Sequence, residues 1–77
     1  MQWILKDDIP LGRNIQTIRM RNNLTQSELA ARLQVAGINT SRSTIANIES
    51  GRRNIKAKDL KALKEVLNVE YDEFFRE

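Results

Sequence analysis

Residues 41–53 contain side chains that could form hydrogen bonds with the polar edges of a flat molecule such as a nucleotide base. The polar members of this segment's first half are Arg42, Ser43, Thr44 and Asn47, and the apolar members are Ile45, Ala46 and Ile48. In a helix the apolar residues would form one face, which leaves the polar residues on the first two turns and the outer side. Guanidinium and amide groups form paired hydrogen bonds with base edges. The alternative is an ordinary solvated helix face.

The composition removes the residue types on which most catalytic and metal sites depend. The chain has no cysteine and no histidine, so disulfides, thiolate ligands and imidazole bases are excluded. There is also no glycine-rich phosphate loop and no recognisable pair of catalytic carboxylates. We therefore expect a protein that is not an enzyme and that carries no metal and no cofactor.

Length and hydropathy predict one small domain over residues 1–77. A chain of 77 residues is near the size at which a single core is only marginally stable unless it is well packed or helped by association. No apolar run is longer than three residues, Trp3-Ile4-Leu5 among them, which is far too short for a membrane span or a secretory signal. We expect a cytoplasmic chain with no membrane partner, in which Trp3 lies in or over the core.

The charges are unevenly distributed along the chain. Nine basic residues lie between Arg13 and Lys58 with only Glu28 and Glu49 opposing them, whereas Asp59 to Glu77 holds six acidic and three basic residues. A basic front and an acidic back suit a surface that faces phosphates. The net charge of +3 is equally compatible with a charged surface that only maintains solubility.

Hydrophobic periodicity predicts five helices. The first has Pro10 in its first turn and ends near Asn22-Asn23, and the second begins at Gln26 after a Thr25–Glu28 capping box. The third follows Ser41 as N-cap and ends at Glu49 or Ser50, with Gly51 allowing a left-handed exit. The last two span Ala57 to Leu67, with Lys56 as a poor N-cap, and Tyr71 to Arg76.

The motif from Leu24 to Arg53 resembles that of the phage repressor and Cro-like helix-turn-helix proteins. Their pattern LTQxELAxxLxV…SRSTIxxIExGxR is visible almost letter for letter, and the resemblance covers roughly residues 11–75. It implies an all-α, five-helix repressor-like bundle. The chain departs from the pattern by an insertion of five residues at 36–40, which lengthens the turn between helices two and three. The insertion is long enough to extend helix two, with Gly37 as its C-terminal cap.

The resemblance also implies roles for individual residues. It places Arg42, Ser43, Thr44 and Asn47 at base edges of double-stranded DNA, and Gln26, Ser41, Arg52 and Arg53 at phosphates. The free N–H groups at a helix start favour an anion such as a phosphate. The alternative for Arg52 and Arg53 is a solvated loop.

Arg19 and Glu49 match two positions that form an internal ion pair in many relatives. The resemblance therefore predicts a link between the first helix and the end of the third. The alternative is two independent surface charges.

The C-terminal aromatic residues are the candidate dimer interface. Tyr71, Phe74 and Phe75 supply three of the four aromatic side chains, and a short helix has one narrow buried face, so we expect at least one ring to be exposed and covered by a second copy. The alternative is that both phenylalanines complete the monomer core with Trp3.

Three classes of function are consistent with the chain to different degrees. The first is a sequence-specific DNA-binding transcription regulator, which we expect to act as a repressor and as a homodimer on a palindromic operator. The second uses the same fold to hold a protein partner, as an antitoxin or docking module does, and the third is an enzyme. The residues favour the first class.

Overall fold

The computed structural model describes residues 10–77, in which the chain forms five helices. In chain order these are α1 (Leu11–Arg21), α2 (Gln26–Val35), α3 (Arg42–Glu49), α4 (Ala57–Leu67) and α5 (Tyr71–Phe74). The prediction of an all-α, five-helix fold with a lengthened turn before α3 is confirmed. Trp3, which we placed in or over the core, lies outside the described residues.

One hydrophobic core joins the helices. Each helix contributes apolar side chains at helical spacing, and the most buried of them are Phe74, Ile15, Leu29, Ile45, Leu63 and Leu67. Leu24, in the connection between α1 and α2, is also buried. The core therefore draws on every helix, which is how a small domain removes enough apolar surface from water to fold.

The helix starts follow the capping chemistry of the sequence. The Thr25 hydroxyl accepts from the Glu28 N–H at 3.0 Å while the Thr25 N–H donates to Glu28 Oε1 at 2.8 Å, which is the predicted capping box. Ser41 caps α3 by accepting from the Thr44 N–H at 3.3 Å. Lys56 makes no side-chain cap for α4, in agreement with its poor N-cap chemistry.

A glycine follows each of two helices: Gly37 lies in the lengthened turn after α2, and Gly51 begins the basic loop of residues 51–53 after α3. Gly37 after α2 has φ +92° and Gly51 after α3 has φ +81°, a region that side chains with a Cβ rarely adopt. In both places the next residue donates its N–H back into the helix: Ile38 to Leu33 O at 2.9 Å and Arg52 to Asn47 O at 2.9 Å. This backbone pattern fixes the direction in which each loop leaves its helix.

The last helix is shorter than predicted. The pattern predicted Tyr71 to Arg76, whereas α5 ends at Phe74. The Asn14 side-chain amide donates to Phe74 O at 2.8 Å and to Arg76 O at 2.7 Å. These carbonyls have therefore found partners on α1, so the C-terminal residues dock on α1 and do not continue the helix.

Candidate nucleic-acid interface

The outer face of α3 presents polar side chains to solvent. Arg42, Ser43 and Asn47 are exposed, and within residues 10–77 none of them makes a side-chain hydrogen bond or an ion pair. The opposite face buries Ile45 and Ile48. The hydrogen-bonding groups that we predicted for base contacts thus lie on a helix whose opposite face is packed in the core.

Thr44 is placed differently from the other three. It is half-buried, and its hydroxyl lies 3.2 Å from the hydroxyl of Ser41. The two hydroxyls form part of the helix cap. Thr44 and Ser41 are therefore at the N-terminal edge of the polar face, with one hydrogen bond already made by the Thr44 hydroxyl and two by the Ser41 hydroxyl.

The positive end of α3 has no nearby carboxylate on its own helix. Its first turn contains no acidic residue, and its single acidic residue, Glu49, is buried at the other end. The first N–H groups of a helix have no intrahelical acceptor and carry partial positive charge. Together with the Arg42 guanidinium, they make this end of α3 attractive to an anionic surface.

The basic loop after α3, residues 51–53, is fixed to α3 itself. Both Arg52 and Arg53 donate their backbone N–H groups to Asn47 O, at 2.9 and 3.2 Å, while their side chains are exposed. The two guanidinium groups therefore start from a defined backbone position beside the outer face of α3. This arrangement suits phosphates on the flank of whatever α3 contacts.

A buried ionic network holds the other end of α3. Arg19 Nε donates to Glu49 Oε2 at 2.6 Å and Nη2 donates to Glu49 Oε1 at 3.1 Å, while Nη1 donates to Leu24 O at 2.7 Å. Arg19 and Glu49 are each only 8% exposed. The structure thus brings the two predicted partners together as a bidentate pair with its remaining groups satisfied, which is the condition for a stable buried charge pair.

Gln26 joins this network from the start of α2. Its side-chain amide donates to Glu49 Oε1 at 3.0 Å, so the side chain that we predicted to contact a phosphate is engaged with Glu49. The backbone N–H groups of Gln26 and Ser27 remain at the positive start of α2, where they have no intrahelical acceptor. The start of α2 therefore keeps backbone N–H donors of the kind that favour an anion, while the Gln26 side chain is engaged with Glu49.

Gly12 is a positioning residue that the sequence reasoning missed. A Cβ at this position would lie 2.3 Å from Ile48 O and 2.8 Å from Glu49 O, so the backbones of α1 and α3 cross here with no room for a side chain. The available signal was a glycine inside a helical pattern, which costs helix stability and often marks a close backbone approach. Gly12 lets α1 sit directly against the C-terminal end of α3.

The predicted dimer interface requires one correction. Phe74 is fully buried, with 0% exposure, because it lies in the hydrophobic core where α5 packs against α1, so its ring is not available to a second copy. Tyr71 is 40% exposed and Phe75 is half-buried. The exposed aromatic surface at this end therefore consists of Tyr71 and the outer part of Phe75.

The structure offers no metal cluster and no membrane-spanning helix among residues 10–77. No group of three or more carboxylates, histidines or cysteines in this part of the chain is placed to hold a metal ion. None of the five helices is long and apolar enough to cross a membrane.

Comparison with known proteins identifies the class of this domain. The family model described as helix-turn-helix matches residues 15–74. The chain belongs to this family, the Cro/C1-like type, whose members are DNA-binding proteins and not enzymes. The predicted family and the prediction of DNA-binding transcription regulation are confirmed.

A solved structure shares the fold over almost its whole length. The restriction-modification controller protein C.AhdI from Aeromonas hydrophila matches with a TM-score of 0.75 and 27% sequence identity, covering 91% of this chain and 98% of that chain. The comparison with curated protein sequences gave no match. The chain is thus similar to a controller protein over most of its length.

Proposed function

We propose that this chain is a sequence-specific repressor that inserts α3 into the major groove of double-stranded DNA. The observation that carries the proposal is the contrast within α3. Exposed polar side chains that have no partner in the described part of the chain lie on one face, and buried apolar side chains lie on the other. An α-helix with its side chains is about 10–12 Å in diameter, which fits a major groove about 12 Å wide.

Individual residues take different roles in this complex. Arg42 and Asn47 contact base edges, since Arg pairs with guanine and Asn with adenine through two hydrogen bonds each. Ser43 and Thr44 contact bases or the T methyl group at the helix start. Arg52 and Arg53 bind phosphates and therefore contribute affinity that is independent of sequence.

The proposal includes a homodimer on a roughly palindromic operator. One recognition helix reads only a few base pairs, which gives little selectivity against a genome of competing sites. Two copies related by a two-fold axis place their recognition helices about 34–36 Å apart, one turn of the duplex. The surface that supports this pairing is the exposed aromatic end at Tyr71 and Phe75, on the acidic part of the chain.

Repression follows from occupation of the site. A dimer that covers two successive major grooves on one face of a promoter excludes polymerase without any further contact. The similarity to a restriction-modification controller protein supports a regulatory role over a docking role. A reporter gene with the selected operator placed across its promoter should be repressed by the native chain.

The experiment that tests the proposal is a selection of bound DNA from a random duplex library, combined with sedimentation. The native chain should enrich a motif with two half-sites about 10 base pairs apart, and should sediment as a dimer on it. For the interface we would compare the sedimentation of Phe75→Ser and Tyr71→Ser with that of Thr17→Ser, a control at an exposed position on α1. No enriched motif, or a monomer on a single half-site, would contradict the proposal.

A further inference from the structure

The lengthened turn of residues 36–40 is fastened at both ends. Ile38 donates its N–H to Leu33 O at 2.9 Å and its side chain packs against the core. Gln34 closes the other end, because its side-chain amide donates to Thr40 O at 2.8 Å. The turn is therefore held in one conformation between α2 and the cap of α3, as a built part of the domain.

One side chain of this turn faces solvent with its hydrogen-bonding groups free. Asn39 is exposed, and within residues 10–77 its amide makes no hydrogen bond. Its neighbours on either side, Ile38 and Thr40, are half-buried. The turn thus anchors itself through the flanking residues and presents the amide of Asn39 outward.

The position of Asn39 along the chain keeps it near the recognition helix. Asn39 precedes Arg42 by three positions, and a chain spans at most about 3.6 Å per residue. The two Cα atoms therefore lie within about 11 Å of each other, which is less than the width of the major groove. Asn39 is thus close enough to the start of α3 to reach a groove that α3 enters.

The charge of the turn points to base contact over phosphate contact. No charged residue occurs between Arg32 and Arg42, whereas the loop after α3 carries Arg52 and Arg53. A neutral amide contributes little to the attraction of phosphates. It is, however, the group that pairs with the N6 and N7 atoms of adenine.

We propose that Asn39 is a further specificity-determining residue, which reads an adenine in the base pair next to those read by α3. The inference rests on the proposed function, since it requires that α3 enters the major groove. The lengthened turn then extends the recognition surface by one base pair and is more than a spacer. Gln34 and Ile38 act as the positioning residues that hold the amide in place.

The test uses the full chain and the motif found by selection. Native chain and Asn39→Ala are titrated on the preferred duplex and on one in which 7-deazaadenine replaces the flanking adenine, which removes the N7 acceptor. We expect Asn39→Ala to lose about 5- to 150-fold on the preferred duplex. The base analogue should weaken the native chain and have no further effect on the variant. Gln16→Ala, an exposed amide on α1, should bind both duplexes like the native chain.

A second variant separates readout from general weakening. Asn39→Asp should change the preferred base at the flanking position from adenine to cytosine, because a carboxylate accepts from cytosine N4. Two results would overturn the inference: Asn39→Ala loses the same affinity on all duplexes, or it loses none. If the native chain has selected a motif, the proposed function stands in either case. If the native chain selected no motif, the proposed function itself would fail.

Discussion

The two ends of α3 are built in opposite ways. At the N-terminal end Arg42 and Ser43 are exposed and their side chains have no partner among residues 10–77, and the cap of Ser41 and Thr44 orders the backbone. At the C-terminal end Glu49 is 8% exposed and is held by Arg19 and Gln26. The difference leaves the polar side chains at one end of α3 available to a partner, while the other end fixes the helix that carries them. A recognition helix with both ends free would lose binding energy to ordering its side chains and backbone.

The largest expected effect is a loss of stability when the ionic network at the C-terminal end of α3 is broken. Glu49→Ala leaves the Arg19 guanidinium buried with only Leu24 O as a partner, and we expect a loss of about 3–5 kcal/mol in the free energy of unfolding. Chemical denaturation of the purified chain measures it. The control is Glu73→Ala, which removes the more exposed pair with Arg21 and should cost at most about 1 kcal/mol. Equal midpoints for Glu49→Ala and the native chain would show that the network does not hold α3.

The next largest effect comes from the helix crossing. Gly12→Ala places a methyl group against Ile48 O and Glu49 O, so α1 and α3 must move apart, and overpacking of this kind costs about 1–3 kcal/mol. Alanine is the better helix former, so a loss of stability here cannot come from helix propensity. Thr17→Ala, on the exposed side of the same helix, serves as the control and should stay within about 0.5 kcal/mol. A stabilised Gly12→Ala would contradict the close crossing.

At the free end a smaller effect is expected. Ser41→Ala removes the side chain that accepts from the Thr44 N–H, and loss of such a cap costs about 1 kcal/mol. Ser41→Asp should retain the stability because a carboxylate caps equally well, but it should weaken DNA binding because it adds a negative charge where phosphates approach. Thermal unfolding and a binding titration on the same two variants separate these effects. If Ser41→Ala unfolded at the same temperature as the native chain, the Ser41 cap would not contribute to stability.

The smallest effect is a dependence on pH at the start of α2. The Thr25 backbone N–H, with the Thr25 hydroxyl and Arg32 adding to it, lowers the pKa of Glu28. A lowered pKa in the folded chain means that the stabilisation is present above the ordinary carboxyl pKa and is lost as the pH falls through the lowered value. Glu28→Gln keeps the capping hydrogen bond but does not titrate. Midpoints measured from neutral to acidic pH should fall less steeply for Glu28→Gln than for the native chain, and parallel curves would refute this role.

The comparison of the two ends also shows what the sequence could and could not predict. The local signals were sufficient for the helix starts, because a capping box and a serine cap act within four residues. The same holds for the helix ends at Gly37 and Gly51. The Arg19–Glu49 partnership needed the family resemblance, since nothing in the spacing of two residues 30 positions apart brings them together.

Other features depended on packing between distant segments. The sequence did not show that Asn14 would take the carbonyls of Phe74 and Arg76 and end α5 early. It also did not show that the Gln26 side-chain amide would donate to Glu49. In each case a side chain that is polar and locally unconstrained finds its partner only after two helices have packed, so periodicity carries no information about it.

The central claim is that the outer face of α3 reads sequence while the basic loop supplies affinity for any DNA. The most direct measurement is the ratio of affinities for the selected duplex and a random duplex, over several salt concentrations, for Arg42→Ala, Asn47→Ala and Arg52→Ala. The two α3 variants should lose about 1–3 kcal/mol on the selected duplex with little change on random DNA. Arg52→Ala should weaken both duplexes alike and reduce the salt slope by about one. Equal losses on both duplexes for the α3 variants would contradict the account.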